Sequence, residues 1–301
     1  MLILPFLRDI IIIGLSCWKV IEISIARVFP RITKATPNDE LVFTDVPPMF
    51  PLDIDEVHVS VAFTYDIPKA EWLALQWEGV GVPVKMGGPA FNAPGGDFIP
   101  GRYLKFGYVI TSRGCPNRCV YADGQKCMVP EREGYKLREL QVRDGWNVLD
   151  DNLLACSDDH INAVFDMLAR QDHRPEFTGG IEAKIMKPWH AKRLREIKAK
   201  RMYFAYDTPD DYEPLVYAGR LLRDVGFTVS SHVACCYVLI GYKGDTFDKA
   251  EKRLIDTIKA GFVPYAMLYK DEQGKKDEQW VKFQRSWCRP QIVTSRMKNL
   301  A

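Results

Sequence analysis

Three cysteines lie in one short run, Cys115-Pro-Asn-Arg-Cys119 followed by Val-Tyr-Ala-Asp-Gly-Gln-Lys-Cys127. Thiolates gathered in a single loop can converge on one metal centre without help from distant parts of the chain, and cysteine-rich ligation is the usual way proteins hold iron–sulfur clusters. Three ligands rather than four leave one coordination position open. Asp123-Gly124 supplies the turn chemistry that lets such a loop double back. Arg113 and Arg118 can screen the charge of a cluster or stand as solvated surface cations.

Other candidate residues stand at the ends of strand-like runs. In Gly179-Gly180-Ile-Glu182 and in Tyr-Val-Leu-Ile-Gly241-Tyr-Lys-Gly, glycines let the backbone approach a ligand, and Glu182 can accept from hydroxyl or amino groups. The same glycines read equally as turn formers. Asp150, Asp151 and Asn152 end one strand-like run and Asp207 another, where they can reach a site or cap the next helix. Cys156, Cys235 and Cys236 sit in apolar company, where a cysteine behaves as a small buried hydrophobe. His160 follows Cys156 by four positions and His232 precedes Cys235, but neither pair completes a four-ligand zinc set.

The elements that must position these residues are legible from periodicity. Residues 56–63 alternate and are rich in β-branched types, Pro68 is placed for the first turn of a helix carrying Ala70 to Trp77, and 82–86 forms a second strand: one Rossmann-like βαβ unit. The Pro- and Gly-rich stretch 90–101 is a linker. Strand-like runs then recur at 105–111, 146–149, 176–178, 202–206, 233–240 and 263–269. Between them Ser157 caps a helix over 158–170, Pro188 opens one over 189–200, and others span 212–224 and 247–260, the last ending at Gly261. Six strands with helical crossovers predict a parallel sheet curled into an open (β/α)6 barrel, because a closed eight-unit barrel takes about 250 residues. The organisation expected is an apolar extension at 1–30, a small α/β domain with its linker at 31–100, the barrel at 101–270 and a basic tail at 271–301.

The cysteine run resembles the cluster signature of the radical S-adenosylmethionine superfamily, CxxxCxxC with an aromatic before the last cysteine. Removing Ala122 to Lys126 leaves Cys-Pro-Asn-Arg-Cys-Val-Tyr-Cys, so the departure reads as a five-residue insertion after Tyr121. Lengthening the loop in this way costs only about 1 kcal/mol of closure entropy. The alternative is that Ala122 stands where the third ligand would be. The resemblance implies a partial TIM-like barrel with the cluster loop after its first strand. It further implies a [4Fe-4S] cluster on Cys115, Cys119 and Cys127, with S-adenosylmethionine held near Tyr121, Gly179, Gly180, Glu182, Asp207 and Gly241. The implied activity is reductive cleavage of that cofactor to a 5′-deoxyadenosyl radical that abstracts hydrogen from a substrate at the barrel mouth. An electron donor such as flavodoxin or ferredoxin is implied as partner. The small N-terminal domain resembles those preceding the barrel in several radical enzymes, but the Asp-x-His-x-x-Gly cobalamin motif is absent. The rival reading is a non-catalytic or zinc-binding protein on the same barrel.

Composition narrows the class. The chain has 301 residues, 47% of them hydrophobic, and a formal net charge of +2, too small to imply a polyanionic partner by itself. Lys192, Arg193, Arg195, Lys198, Lys200 and Arg201 make one helix strongly basic; nucleic acid is compatible with it but not favoured over ordinary solvation. The eight cysteines are scattered rather than arranged as a disulfide framework, which fits a reducing cytoplasm. Arg8, Asp9, Lys19 and Glu22 interrupt the apolar N-terminus well short of the ~20 residues that span a bilayer, so no membrane association is expected.

Overall fold

The computed structural model describes residues 23–119, 128–271, 273–288 and 295. Most of the apolar extension and the loop segment carrying Tyr121 and Cys127 lie outside the described residues. The protein is mixed α/β and divides into two compact units, Met1–Phe106 and Gly107–Ala301.

In the first unit, β1 (Ile25–Val28), β2 (Val42–Phe43), β3 (Glu56–Ser60) and β4 (Val84–Gly87) form a parallel sheet in the order β2-β1-β3-β4. The last residues of the expected apolar extension are thus a central strand. Helix α1 (Ile67–Glu78) buries Ala70, Leu73 and Trp77, a stripe at helical spacing, against Val57, Val59 and Val61. Trp77 is wholly buried, and its indole N–H donates to the carbonyl of Asp45 at 2.9 Å, so no polar atom of the ring is stranded.

The second unit holds β5 (Tyr108–Val109), β6 (Ser112–Arg113), β7 (Arg138–Glu139), β8 (Asn147–Val148), β9 (Glu176–Phe177), β10 (Arg201–Ala205), β11 (Ala234–Ile240) and β12 (Val263–Leu268). Six of these form one parallel sheet in the order β5-β8-β9-β10-β11-β12, while β6 and β7 make an antiparallel hairpin. Each new parallel strand is added at the same edge, so every step needs a crossover. Helices α3 (Asp158–Ala169), α4 (Pro188–Glu196), α5 (Tyr212–Asp224) and α6 (Phe247–Ala260) supply four of them; α2 (Met128–Glu133) lies in the first connection and α7 (Glu278–Cys288) follows β12. Helices α3 to α6 touch their neighbours in sequence, which makes them one layer. Side-chain alternation then sorts the sheet. Phe204 packs on Phe262 with ring centroids 4.8 Å apart, and Cys236 on the same face meets Thr257 of α6. On the opposite face Tyr203 stacks on Tyr237 at 4.6 Å, and Tyr265 meets Tyr237 edge-on.

The hydroxyl of Ser157 accepts from the backbone N–H of His160, which fixes the start of α3 as expected. Helix α4 stops at Glu196, short of the expected residue 200. The chain turns there through Lys198, whose φ is +55°, and the N–H of Lys200 is already committed to the carbonyl of Pro175. Among the described residues no helix is long and apolar enough to cross a membrane.

Candidate functional site

The cysteine run begins at the carboxyl end of the edge strand β5, where the hairpin β6–β7 closes its base. Ser112 pairs with Glu139 and Arg113 with Arg138, and the N–H of Cys115 donates to the carbonyl of Gly134 at 3.3 Å. Beneath the hairpin, the buried carboxylate of Glu133 meets three guanidinium groups, those of Arg138 at 2.9 Å, Arg132 at 3.0 Å and Arg113 at 3.5 Å. Burial holds the Arg113 guanidinium below its ordinary value, with Glu133 and Asp151 opposing. Arg118 lies over the ring of Tyr135 at 5.3 Å. Both arginines are thus engaged with protein groups.

The end of β8 supports this loop from below. Asp150 is wholly buried and accepts from the backbone N–H of Thr111 at 2.6 Å, from its hydroxyl at 2.5 Å and from the Ser112 hydroxyl at 2.8 Å. Burial pushes its carboxyl up despite these donors. Asp151 accepts from the N–H of Gly114 at 2.9 Å; burial raises it too, against the pull of that donor and of Arg132. Asn152 then links two candidates far apart in sequence. Its side-chain amide donates to Cys115 Sγ at 3.4 Å and to Glu182 Oε2 at 2.5 Å. The amide oxygen of this buried side chain has no partner among the described residues.

Glu182 reaches Asn152 because Gly179-Gly180 follows the end of β9. A Cβ on Gly179 would fall 2.4 Å from the carbonyl oxygen of Asp150, so only glycine lets the strand ends close up. The next residues bring in Lys184, which ion-pairs with Asp211 at 3.1 Å. Burial pulls the Lys184 ammonium down, but Asp211, with Cys119 and Glu182 close enough to contribute, leaves it raised. Asp211 also accepts from the N–H groups of Asp207 and Thr208 at 3.1 and 2.9 Å. Asp207 is itself spent on structure: it accepts from the N–H of Leu239 at 3.1 Å, and burial raises its carboxyl.

The structure therefore joins Cys115 and Glu182 through Asn152 and sets Cys119 within electrostatic reach of Lys184. Gly241 is not joined to them. Its N–H is held by Asp245 at 3.0 Å, and it borders a separate cavity of about 290 Å³ next to Tyr269 and Asp271. Lys184 and Asp211 were not singled out from the sequence; the signal available was their place in the connections that follow the expected strands 176–178 and 202–206. Among the described residues no group of three or more His, Cys, Asp or Glu side chains forms a metal-ligand set. Cys127 lies outside them. Cys156, Cys235 and Cys236 are buried, and burial raises all three thiols, that of Cys156 to about 12, which matches the reading of them as core residues. His160 turns its Nε2 to the hydroxyl of Thr111 at 3.3 Å.

No protein-family model matches the chain, and no curated protein matches it significantly.

Proposed function

We propose that the protein is a radical S-adenosylmethionine enzyme in which Cys115, Cys119 and Cys127 hold a [4Fe-4S] cluster. The observation that carries this reading is the meeting of Cys115, Asn152 and Glu182 at the carboxyl-end edge of a consecutively wound parallel sheet. Parallel α/β sheets bind ligands at that edge, and six strands added in order are what an open (β/α)6 barrel needs.

The donor set fits the cluster on two counts. An amide N–H aimed at a cysteine sulfur is the kind of outer hydrogen bond that offsets negative charge on a ligating thiolate. The buried, unpartnered oxygen of Asn152 is an acceptor awaiting a donor, which an amino group or a ribose hydroxyl of S-adenosylmethionine would provide. Bound together, cluster and cofactor would supply one-electron cleavage of the sulfonium and hydrogen abstraction from a substrate. The chain's own residues have simpler tasks. Asp150 and Asp151 hold Thr111, Ser112 and Gly114, and so fix the approach to Cys115. Glu182, one oxygen engaged by Asn152, keeps a second for the cofactor's cationic end. Lys184, ion-paired with Asp211, lies within electrostatic reach of Cys119 and would offset part of the charge of the thiolates. A flavodoxin or ferredoxin would deliver the electron.

Anaerobic reconstitution with iron and sulfide tests the reading. The expected product is a brown protein with about four irons that releases 5′-deoxyadenosine from S-adenosylmethionine when reduced. A colourless protein that takes up one tightly bound zinc and releases none would overturn it.

A further inference from the structure

The basic segment after α4 is not used by the site above. It forms part of a cleft at the opposite, amino-terminal ends of β10 and β11, with a volume of about 760 Å³. Arg174, Arg195, Lys198, Lys200, Arg201 and His232 line it, and no aspartate or glutamate does. Among the described residues these five Lys and Arg side chains make one ion pair, Lys200 with Glu176 at 2.6 Å. With one carboxylate, Glu176, against five cations, the like charges still repel one another, and a bound anion relieves that repulsion.

The cations are also held in place. Arg174 donates to the carbonyls of Lys198 and Ala199 at 3.0 and 3.4 Å, bracing the turn, and Arg195 lies over the ring of Phe227 at 5.6 Å. Three non-glycine residues among those described have positive φ, and two of them, Lys198 and His232, are on this rim. A side chain in that region costs about 1–2 kcal/mol, and such strain gathers at functional sites. Lys198 thus keeps its charge at a position where glycine would be the relaxed choice.

We propose that this cleft binds a ligand carrying two or more phosphate groups. One phosphate would fill little of the volume and meet few of the five cations. Both a single-stranded nucleic acid and a nucleoside triphosphate present that chemistry.

The test is fluorescence anisotropy on the full chain with a labelled single-stranded RNA, competed with ATP and, separately, with polyglutamate. Binding should weaken as salt rises, with a log–log slope of roughly 0.7 per phosphate engaged on a single strand. Lys198→Gly should weaken it about fivefold, as should Arg195→Gln, while the melting temperature of Lys198→Gly stays equal or rises. Displacement by ATP alone assigns a nucleotide-sized ligand; resistance to ATP assigns the longer strand. The proposal is overturned if neither RNA nor a fluorescent ATP analogue binds, if polyglutamate competes as well as ATP or unlabelled RNA, or if both variants bind like wild type. A Lys198→Gly protein that melts lower and binds weakly would also overturn it, since the lysine would then be structural.

Discussion

Substituting Asp150 tests how the cysteine loop is anchored. Its carboxylate takes three donors from Thr111 and Ser112, both wholly buried. In Asp150→Ala those donors lose their acceptor away from water. At about 1–3 kcal/mol per stranded donor, and with some relaxation, the loss is about 3–5 kcal/mol, a third or more of the stability of an average domain. Asp150→Asn keeps the shape and one acceptor oxygen and turns the other into a donor, which the two hydroxyls can meet by rotating, so its cost is about 1–2 kcal/mol. The pH dependence gives the sharper check. Burial raises this carboxyl in the folded state, so between its unfolded value and that raised value the folded protein binds the extra proton. Wild-type stability must therefore fall as pH rises through that window, whereas the asparagine variant lacks the contribution. In urea titrations from pH 5 to 8, the gap between wild type and Asp150→Asn should narrow as pH rises through the window and never widen. A gap that widens with pH would mean that the hydrogen bonds outweigh burial and that the carboxylate form is the one the fold prefers.

Trp77→Ala removes the largest side chain from the first unit's core and should cost about 3–5 kcal/mol, read as a lower-denaturant transition by circular dichroism. Gly179→Ala drives a Cβ into backbone 2.4 Å away; the shift needed should destabilise the protein by about 1–3 kcal/mol and lower iron uptake on reconstitution. With thiols raised by burial, Cys156, Cys235 and Cys236 should resist iodoacetamide at pH 8 in the native protein while Cys115 reacts, as peptide mass mapping after labelling will show.

In the second unit the sequence carried much of the architecture. Ala234–Ile240 and Val263–Leu268 are short apolar runs bounded by turn residues, and α5 and α6 show strong apolar stripes with definite ends, so the pattern located all four within a residue. β2, β6 and β7, two residues each, left no such signal, whereas the equally short β5, β8 and β9 lie inside longer strand-like runs. Ile25–Val28 follows an alternating run, Ile21-Glu-Ile-Ser-Ile25, which the long apolar stretch before it masks, and α7 is masked because its stripe sits in a charged segment. At the site, the cysteine run named Cys115, and the rule that ligands gather at strand ends named Asn152 and Glu182. Nothing local could show that Asn152 bridges the other two, because Cys115 and Glu182 come from elements separated by 37 and 30 residues from it. The same rule offered Gly241 and Asp207, which the fold uses to hold the ends of β11 and β10. Lys184 and Asp211 were missed because their importance lies in an ion pair between connections after different strands.

The central claim is that one cysteine loop, interrupted by Ala122 to Lys126, supplies three cluster ligands. Iron content after anaerobic reconstitution tests it most directly when two variants are compared with wild type. Cys127→Ala should lose the cluster, whereas deleting residues 122–126 should keep or raise iron content, because the shortened loop restores the CxxxCxxC spacing beside Tyr121. Full iron content in Cys127→Ala would contradict the account.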